Sequence, residues 1–139
     1  IPIDPLFISQ IAPQKSKIIK LARKINDNKP SSIAKQILSE LKNITNPNVV
    51  VGGISYKKNV NDIRESPALK IIEYLKTKNV KVTIYDPVVY PKTKSTLLKS
   101  CKKKDLLIIL VAHDKILSDL NKNKKEIHSI LNLNKVLIY

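Results

Sequence analysis

Residues Asn48 to Pro67 read Asn-Val-Val-Val-Gly-Gly-Ile-Ser-Tyr-Lys-Lys-Asn-Val-Asn-Asp-Ile-Arg-Glu-Ser-Pro, and this stretch decides the fold. It begins with a short apolar run, which ends at the two glycines of the chain, Gly52 and Gly53. A basic polar loop follows. Glu65-Ser66-Pro67 then predicts a helix start, because proline in the first helical turn gives up no hydrogen bond. A strand, a basic loop and a helix start in this order are typical of an anion site in an α/β domain.

The rest of the chain after Asn48 alternates strand and helix patterns. Further strands are predicted at Val80–Tyr85, Asp105–Val111 and Lys135–Tyr139, and helices after Ser66 and within Lys94–Lys102, Lys115–Leu120 and Lys125–Leu131. Apolar strands separated by helices predict an α/β fold, a parallel sheet with helices on both faces. Ligands of such sheets bind beyond the carboxyl ends of the strands. Here those ends carry Gly53–Lys58, Asp86-Pro87 and Ala112-His113-Asp114.

The first 47 residues have a different, helical character. Three prolines in residues 1–13 predict an extended or turning segment, anchored in a core by Leu6, Phe7 and Ile8. A helical apolar stripe follows, at Ile18, Leu21, Ala22 and Ile25 and again at Ile33, Ile37, Leu38 and Leu41. Because Pro30 lies between the two parts, the pattern allows one long kinked helix or two helices.

Composition limits the function classes. A chain of 139 residues has room for one ordinary domain and an appended helical piece. The net charge of +15 is carried mostly by scattered lysines, so a general compositional bias is favoured over a nucleic-acid partner, and an aromatic content of 4% argues against stacking on single strands. No apolar run is long enough for a membrane span. The single cysteine, Cys101, suits a cytoplasmic protein.

The loop after the first strand carries the candidate binding residues. It lacks the G-x-G-x-x-G pattern that lets a backbone approach a pyrophosphate. Lys57 or Lys58 instead offers an amine to an anion, and Tyr56 offers a ring to a base or sugar. A solvated lysine pair beside a core tyrosine explains the same residues equally well.

The other marked residues have two interpretations each. Arg64 follows Asp62 and suits an ion pair slightly better than a phosphate contact. Asp4 between two prolines suits a turn cap better than a catalytic acid. Cys101 is expected to be structural, and His113 to have a surface or turn position rather than a ligand contact. The two histidines do not have the spacing of metal ligands.

Four segments together resemble the UDP-glucose/GDP-mannose dehydrogenase family, and its UDP-N-acetyl-D-mannosamine or UDP-N-acetyl-D-glucosamine 6-dehydrogenase branch in particular. Gly53–Pro67 resembles the family's Gly-x-x-Tyr-Lys-x-x-x-x-Asp-x-Arg-Glu-Ser-Pro, the most specific of the four. Ile1–Pro5 is similar to the end of Gly-Gly-His-Cys-Ile-Pro-Val-Asp-Pro. Leu21–Pro30 is similar to Ala-Arg-x-x-Asn-Asp-x-Met-Pro, with lysine replacing methionine, and Tyr85–Pro87 is similar to the second strand end.

The resemblance implies a domain organisation and an activity. Residues 1–47 would end a central helical dimerisation domain, and residues 48–139 would form a Rossmann-like UDP-binding C-terminal domain. The enzymes of this family use NAD to oxidise the C6 hydroxyl of a UDP-sugar to a carboxylate, through a cysteine-bound intermediate. The intact enzyme would be a cytoplasmic homodimer acting in polysaccharide biosynthesis.

The resemblance also assigns roles to single residues. Tyr56 and Lys57 match positions that bind UDP, and Arg64 matches a position that reaches NAD. Asp4 matches an acid that helps to activate water for thioester hydrolysis. The nucleophilic cysteine would precede Ile1, and Cys101 does not match it. The chain is therefore expected to be a fragment that binds UDP-sugar and is inactive without the missing N-terminal part. The alternative is a non-enzymatic basic module that binds nucleotides or nucleic acid.

Overall fold

The structure is a computed structural model that describes residues 4–139, with side chains from Phe7 onward. Its elements in chain order are α1 (Asp4–Ile11), α2 (Lys17–Leu41), β1 (Asn48–Gly52), α3 (Pro67–Thr77), β2 (Lys81–Tyr85), α4 (Leu97–Cys101), β3 (Leu106–Ile109), α5 (Asp114–Lys122), α6 (Lys124–Ile130) and β4 (Val136–Ile138). The strands and helices predicted from the sequence after Asn48 are all present. Strands β2, β3 and β4 and helix α4 are shorter than predicted, and α5 is longer.

The four strands form one parallel sheet in the order β2-β1-β3-β4. Val51 in β1 lies opposite Ile84 of β2 on one side and Ile108 of β3 on the other. The chain moves outward from β1 to β2 and then crosses to the other side of β1 to form β3. This reversal leaves a crevice at the carboxyl ends of β1 and β3, where ligands of doubly wound sheets bind.

Helices cover both faces of the sheet, as predicted. Helices α2 and α3 pack on one face and α4, α5 and α6 on the other. Alternate residues of β1 serve the two sides: Val49 and Val51 contact the α2–α3 layer, and Val50 contacts the opposite layer. The sheet is therefore buried on both sides, which explains why its strands are apolar throughout.

Helix α2 continues through Pro30 as a single 25-residue helix, so the one-helix alternative is the observed one. Its second half is part of the core, with Ala34 and Ile37 fully buried. Its first half is different: Ile18, Leu21 and Ile25 form an exposed apolar stripe. No helix within residues 4–139 combines the length and apolar character that crossing a membrane requires.

The N-terminal segment corrects one expectation. Residues Asp4–Ile11 form a helix, not an extended segment. Pro5 falls in the first turn, where a helix needs no N–H from that residue, so the proline does not oppose the helix. Phe7 and Ile8 are exposed rather than anchored in a core.

Candidate functional site

The loop from Gly53 to Ser66 leaves β1 at the crevice. Gly53 has a φ of 76°, in the left-handed region, and its N–H donates to the carbonyl of Tyr85 at 3.0 Å. The amide of Tyr56 donates to the carbonyl of Asp62 at 2.7 Å and so draws the loop into a compact excursion. Ser66 ends the loop as the N-cap of α3, with its hydroxyl accepting from the Ala68 amide, which confirms the predicted helix start.

Tyr56 and Lys57 form a pair at the surface of this loop. The Lys57 Nζ lies 5.7 Å from the centroid of the Tyr56 ring, which is cation–π distance. Tyr56 is 40% exposed, so it is not a core tyrosine. Among residues 7–139 the Lys57 amine has no salt bridge.

Lys58 is held in a different way. Its Nζ lies 2.5 Å from Oδ1 of Asp114 at the start of α5. The Asn59 side chain donates to Asp114 Oδ2 at 2.5 Å and accepts from the Asp114 amide at 3.0 Å. The hydrogen bonds from Lys58 and Asn59 lower the pKa of Asp114. Of the two lysines that the sequence left as alternatives, one is thus neutralised by a partner and the other remains available to an anion.

A buried polar cluster lies directly beneath the loop. Asp86, at the end of β2, accepts from the Ile54 amide at 2.7 Å through Oδ2 and from the amides of Val88 and Val89 at 2.9 Å through Oδ1. The Nε2 of His113 lies 3.2 Å from both Asp86 Oδ2 and Ser55 Oγ. His113 is 0% exposed, so the expected surface position is wrong.

Arg64 is paired with Asp62, which confirms the ion-pair interpretation. Nη2 of Arg64 lies 2.7 Å from Asp62 Oδ2, Nε lies 3.0 Å from Oδ1, and the Arg64 amide also donates to Oδ1 at 2.9 Å. These bonds from Arg64 lower the pKa of Asp62 to about 2. The Arg64 side chain is nevertheless 86% exposed, so the guanidinium group that Asp62 orients faces solvent.

Tyr56 also borders a groove of about 580 Å³ between α2 and α3. Its charged and polar lining comes from α2, from α3 and from the end of the loop: Arg23, Asn26, Asp27, Lys29, Glu65 and Lys70. A molecule that stacks on the exposed side of Tyr56 would therefore lie beside Lys57 and at the edge of this groove, which Ile19, Ile25 and Ile33 also line.

The remaining candidates lie apart from this site. The side chain of Asp4 lies outside the described residues. Cys101 is fully buried, and burial raises the pKa of its thiol to about 11, as expected of a structural cysteine. His128 lies 3.1 Å from the carbonyl of Asn134 through Nδ1. The part of the chain that the structure describes contains no group of three or more His, Cys, Asp or Glu residues able to hold a metal ion.

Comparison with known protein families identifies the domain. Residues 50–137 match the model of the UDP-glucose/GDP-mannose dehydrogenase family, UDP binding domain. The chain belongs to this family. The match covers the sheet, the basic loop and the helices between the strands, and it confirms the resemblance of Gly53–Pro67.

Individual relatives come from the branch that the motifs indicated. The chain is 38% identical over 144 residues to UDP-N-acetyl-D-mannosamine dehydrogenase of Methanococcus aeolicus, a match that covers 99% of this chain and 32% of that protein. It is 36% identical over 112 residues to the dehydrogenase of the same name from Campylobacter jejuni, covering 81% and 27%. The chain therefore spans about a third of the length of the curated relatives it matches.

Solved structures of the same family share the fold. The structure of UDP-D-ManNAc dehydrogenase from Pyrococcus horikoshii superposes with a TM-score of 0.84 at 26% identity and covers 99% of this chain and 33% of that one. UDP-N-acetyl-mannosamine dehydrogenase from S. aureus gives a TM-score of 0.69 at 34% identity, covering 79% and 27%. The helical segment before β1 belongs to the region shared with the Pyrococcus horikoshii structure, since nearly the whole chain is covered.

Proposed function

We propose that this chain contributes the UDP-binding part of an NAD-dependent dehydrogenase that oxidises a UDP-N-acetylhexosamine at C6 to the uronic acid, in the cytoplasm, for polysaccharide biosynthesis. The observation that carries the proposal is the placement of Tyr56 and Lys57. Both lie on the loop that leaves β1 at the crevice between β1 and β3, where an α/β sheet binds its ligand. The family membership and the names of the relatives support the same substrate class.

Each of the two residues has a distinct task in this proposal. The Lys57 ammonium contacts the diphosphate, because it is the loop amine that no carboxylate neutralises. The exposed ring of Tyr56 packs against the uracil or the ribose, and the adjoining groove accepts the part of the substrate that extends beyond it. Lys58 is excluded from the diphosphate because Asp114 already holds it.

Arg64 is proposed to contact NAD, the cofactor that would accept the hydride. The residue fits this task because Asp62 occupies Nε and Nη2 and leaves Nη1 without a bond to that carboxylate. A planar guanidinium fixed on one edge and exposed on the other suits a phosphate oxygen. Of the groups that the structure describes on this loop, Arg64 is the one that we assign to the cofactor.

The remaining assignments concern residues 1–47. We propose that they end the central helical domain, and that residues 48–139 are the UDP-binding domain. Asp4 would help to activate water for thioester hydrolysis, next to a nucleophilic cysteine in the segment before Ile1. The exposed stripe of Ile18, Leu21 and Ile25 suits burial against the rest of that domain or a second subunit, since apolar patches of this kind mark contact surfaces.

Isothermal titration calorimetry with UDP and UDP-N-acetylhexosamines tests the binding proposal. Lys57→Ala should weaken UDP binding by about 10- to 100-fold, the usual value of a charged hydrogen bond. Lys58→Ala is the matched control and should change the affinity by less than about threefold. Equal losses in the two variants would contradict the assignment of Lys57. Salt-sensitive DNA binding by a chain with no affinity for UDP would instead favour the basic-module alternative.

A chimaera tests the roles of Arg64 and Asp4. Residues 1–139 would replace the corresponding third of the Methanococcus aeolicus dehydrogenase. Arg64→Ala should then raise the KM for NAD without changing the affinity for UDP. Asp4→Asn should slow turnover with both affinities unchanged. Wild-type kinetics in either variant would remove that residue from the proposal.

A further inference from the structure

We propose that His113 is a positioning residue for the UDP site, which uses its two ring nitrogens to hold the loop backbone at Lys57 and at Asn59. This inference rests on the proposed function, because it presumes that Lys57 contacts the diphosphate. From the sequence, His113 was expected at the surface or in a turn. The structure assigns it the positioning role through its contacts with the loop.

The first contact acts on the residues after Lys57. The backbone amide of Asn59 donates to Nδ1 of His113 at 2.7 Å. Asn59 has a φ of 60°, a left-handed conformation that asparagine adopts more readily than most residues other than glycine. The imidazole holds the Asn59 amide from a fully buried position at the start of α5, and Asp114 holds its side chain.

The second contact acts on Lys57 itself. Ser55 Oγ lies 3.2 Å from His113 Nε2 and donates its own proton to the carbonyl of Lys57 at 2.7 Å. The order of donors is therefore His113 Nε2–H to Ser55 Oγ and Ser55 Oγ–H to the Lys57 carbonyl. Asp86 Oδ2 lies 3.2 Å from the same Nε2 and shares its proton. The loop is thus fixed at Lys57 and at Asn59 by a single ring.

The geometry selects one form of the ring. A backbone N–H can only donate, so Nδ1 must be an unprotonated acceptor. The ring proton then belongs to Nε2, where the Asp86 carboxylate and the Ser55 hydroxyl can both receive it. In the other tautomer, Nδ1–H would face the Asn59 N–H and the contact at 2.7 Å would be lost. The positioning role therefore requires the neutral Nε2–H tautomer.

Two amide substitutions separate the tasks of the ring nitrogens. In His113→Asn the side-chain oxygen can replace Nδ1 as the acceptor for the Asn59 amide, but nothing replaces Nε2. In His113→Gln the longer amide can replace the Nε2 donor, but nothing replaces Nδ1. We expect both variants to be less stable than the wild type. UDP affinity, measured by calorimetry, should fall in both variants: by about tenfold in His113→Gln, which loses the direct Asn59 contact, and by a smaller factor in His113→Asn, which loses the contact that reaches Lys57 through Ser55.

A general loss of stability would not produce this difference in UDP affinity between the two variants. If neither folded variant loses UDP affinity, the ring is merely part of the core and the proposal is wrong. If the wild-type chain does not bind UDP, the proposed function fails. The positioning role is then tested by hydrogen exchange at the Asn59 amide. Its exchange with solvent should be slow in the wild type and in His113→Asn and fast in His113→Gln.

A measurement on the unaltered chain covers the case in which neither variant folds. The ¹⁵N shifts of the His113 ring report which nitrogen carries the proton. At neutral pH we expect the protonated nitrogen to be Nε2 and the unprotonated one to be Nδ1. A ring protonated at Nδ1, alone or together with Nε2, would overturn the proposal.

Discussion

A Cβ atom on Gly53 would overlap the carbonyl oxygen of Val111 and lie 2.8 Å from its carbonyl carbon. The backbone after β1 passes against the backbone after β3 at this point, and Gly53 also has a positive φ of 76°. Gly53→Ala should therefore lower the free energy of unfolding by more than about 2 kcal/mol, since strain and overlap add. Urea unfolding followed by circular dichroism would measure the change.

Gly52→Ala is the matched control for that substitution. A Cβ on Gly52 would lie 3.6 Å from side-chain atoms of Ile109 and Ile116, which is ordinary contact. The expected change is within about 1 kcal/mol, because alanine also reduces the freedom of the unfolded chain. Similar losses of unfolding free energy in Gly53→Ala and Gly52→Ala would show that the close approach of Gly53 to the Val111 backbone does not constrain the loop.

Substitutions along α2 test how this helix is divided. Ile37 is 0% exposed against α3 and the sheet, whereas Ile25 is 63% exposed. Ile37→Ala should cost about 2–5 kcal/mol of unfolding free energy, as large-to-small changes in a packed core do. Ile25→Ala should change it by less than about 0.5 kcal/mol in the isolated chain. A large effect at Ile25 would mean that its stripe is already covered in solution.

The sequence was sufficient to predict the sheet. Runs such as Leu106–Ile109 are apolar at every position, and only a strand buried on both faces requires that pattern. The start of α3 was equally readable, because Ser66 and Pro67 satisfy a helix N-terminus by themselves. The helix at Asp4–Ile11 was not predicted: the prolines of residues 1–13 indicated an extended or turning segment, but Pro5 is equally compatible with a first helical turn.

The site was only partly predictable, because its decisive contacts join distant segments. The choice between Lys57 and Lys58 depends on Asp114, more than fifty residues further along the chain. His113, which follows β3, is buried because its ring packs against Ser55, which follows β1, and Asp86, which follows β2. The one signal in the sequence was the His113-Asp114 pair after an apolar run, and that pattern does not indicate whether the imidazole is buried or exposed.

The acid titration of Asp62 is a direct test of its pair with Arg64. In the folded chain the pKa of Asp62 is lowered to about 2 by hydrogen bonds from Arg64. A lowered folded pKa means that the stabilisation is complete above about pH 4 and is lost as the pH falls through about 2. In Arg64→Gln the carboxylate should titrate at about 3.9, the ordinary pKa of aspartate. Carboxyl ¹³C shifts give both midpoints, and an unchanged midpoint would contradict the pair.

Cys101 should not react in the folded chain. It is fully buried, and the burial raises the pKa of its thiol to about 11, so the reactive thiolate is scarce near neutral pH. A disulfide reagent that detects thiols by colour should find none at pH 8 in buffer and one per chain in denaturant. Rapid labelling in buffer would show that α4 opens readily from the sheet.

The anchoring of the basic loop also couples ligand binding to folding. Asp86 and His113 anchor the loop through Ile54 and Ser55. The loop, Asp86 and His113 follow three different strands, so this anchoring forms only when the sheet is assembled. A molecule that binds there binds only chains whose sheet is formed. It would raise the melting temperature in proportion to the logarithm of its concentration. A core variant of low stability should therefore regain its folded population when the ligand is added, although the ligand makes no contact near the altered residue.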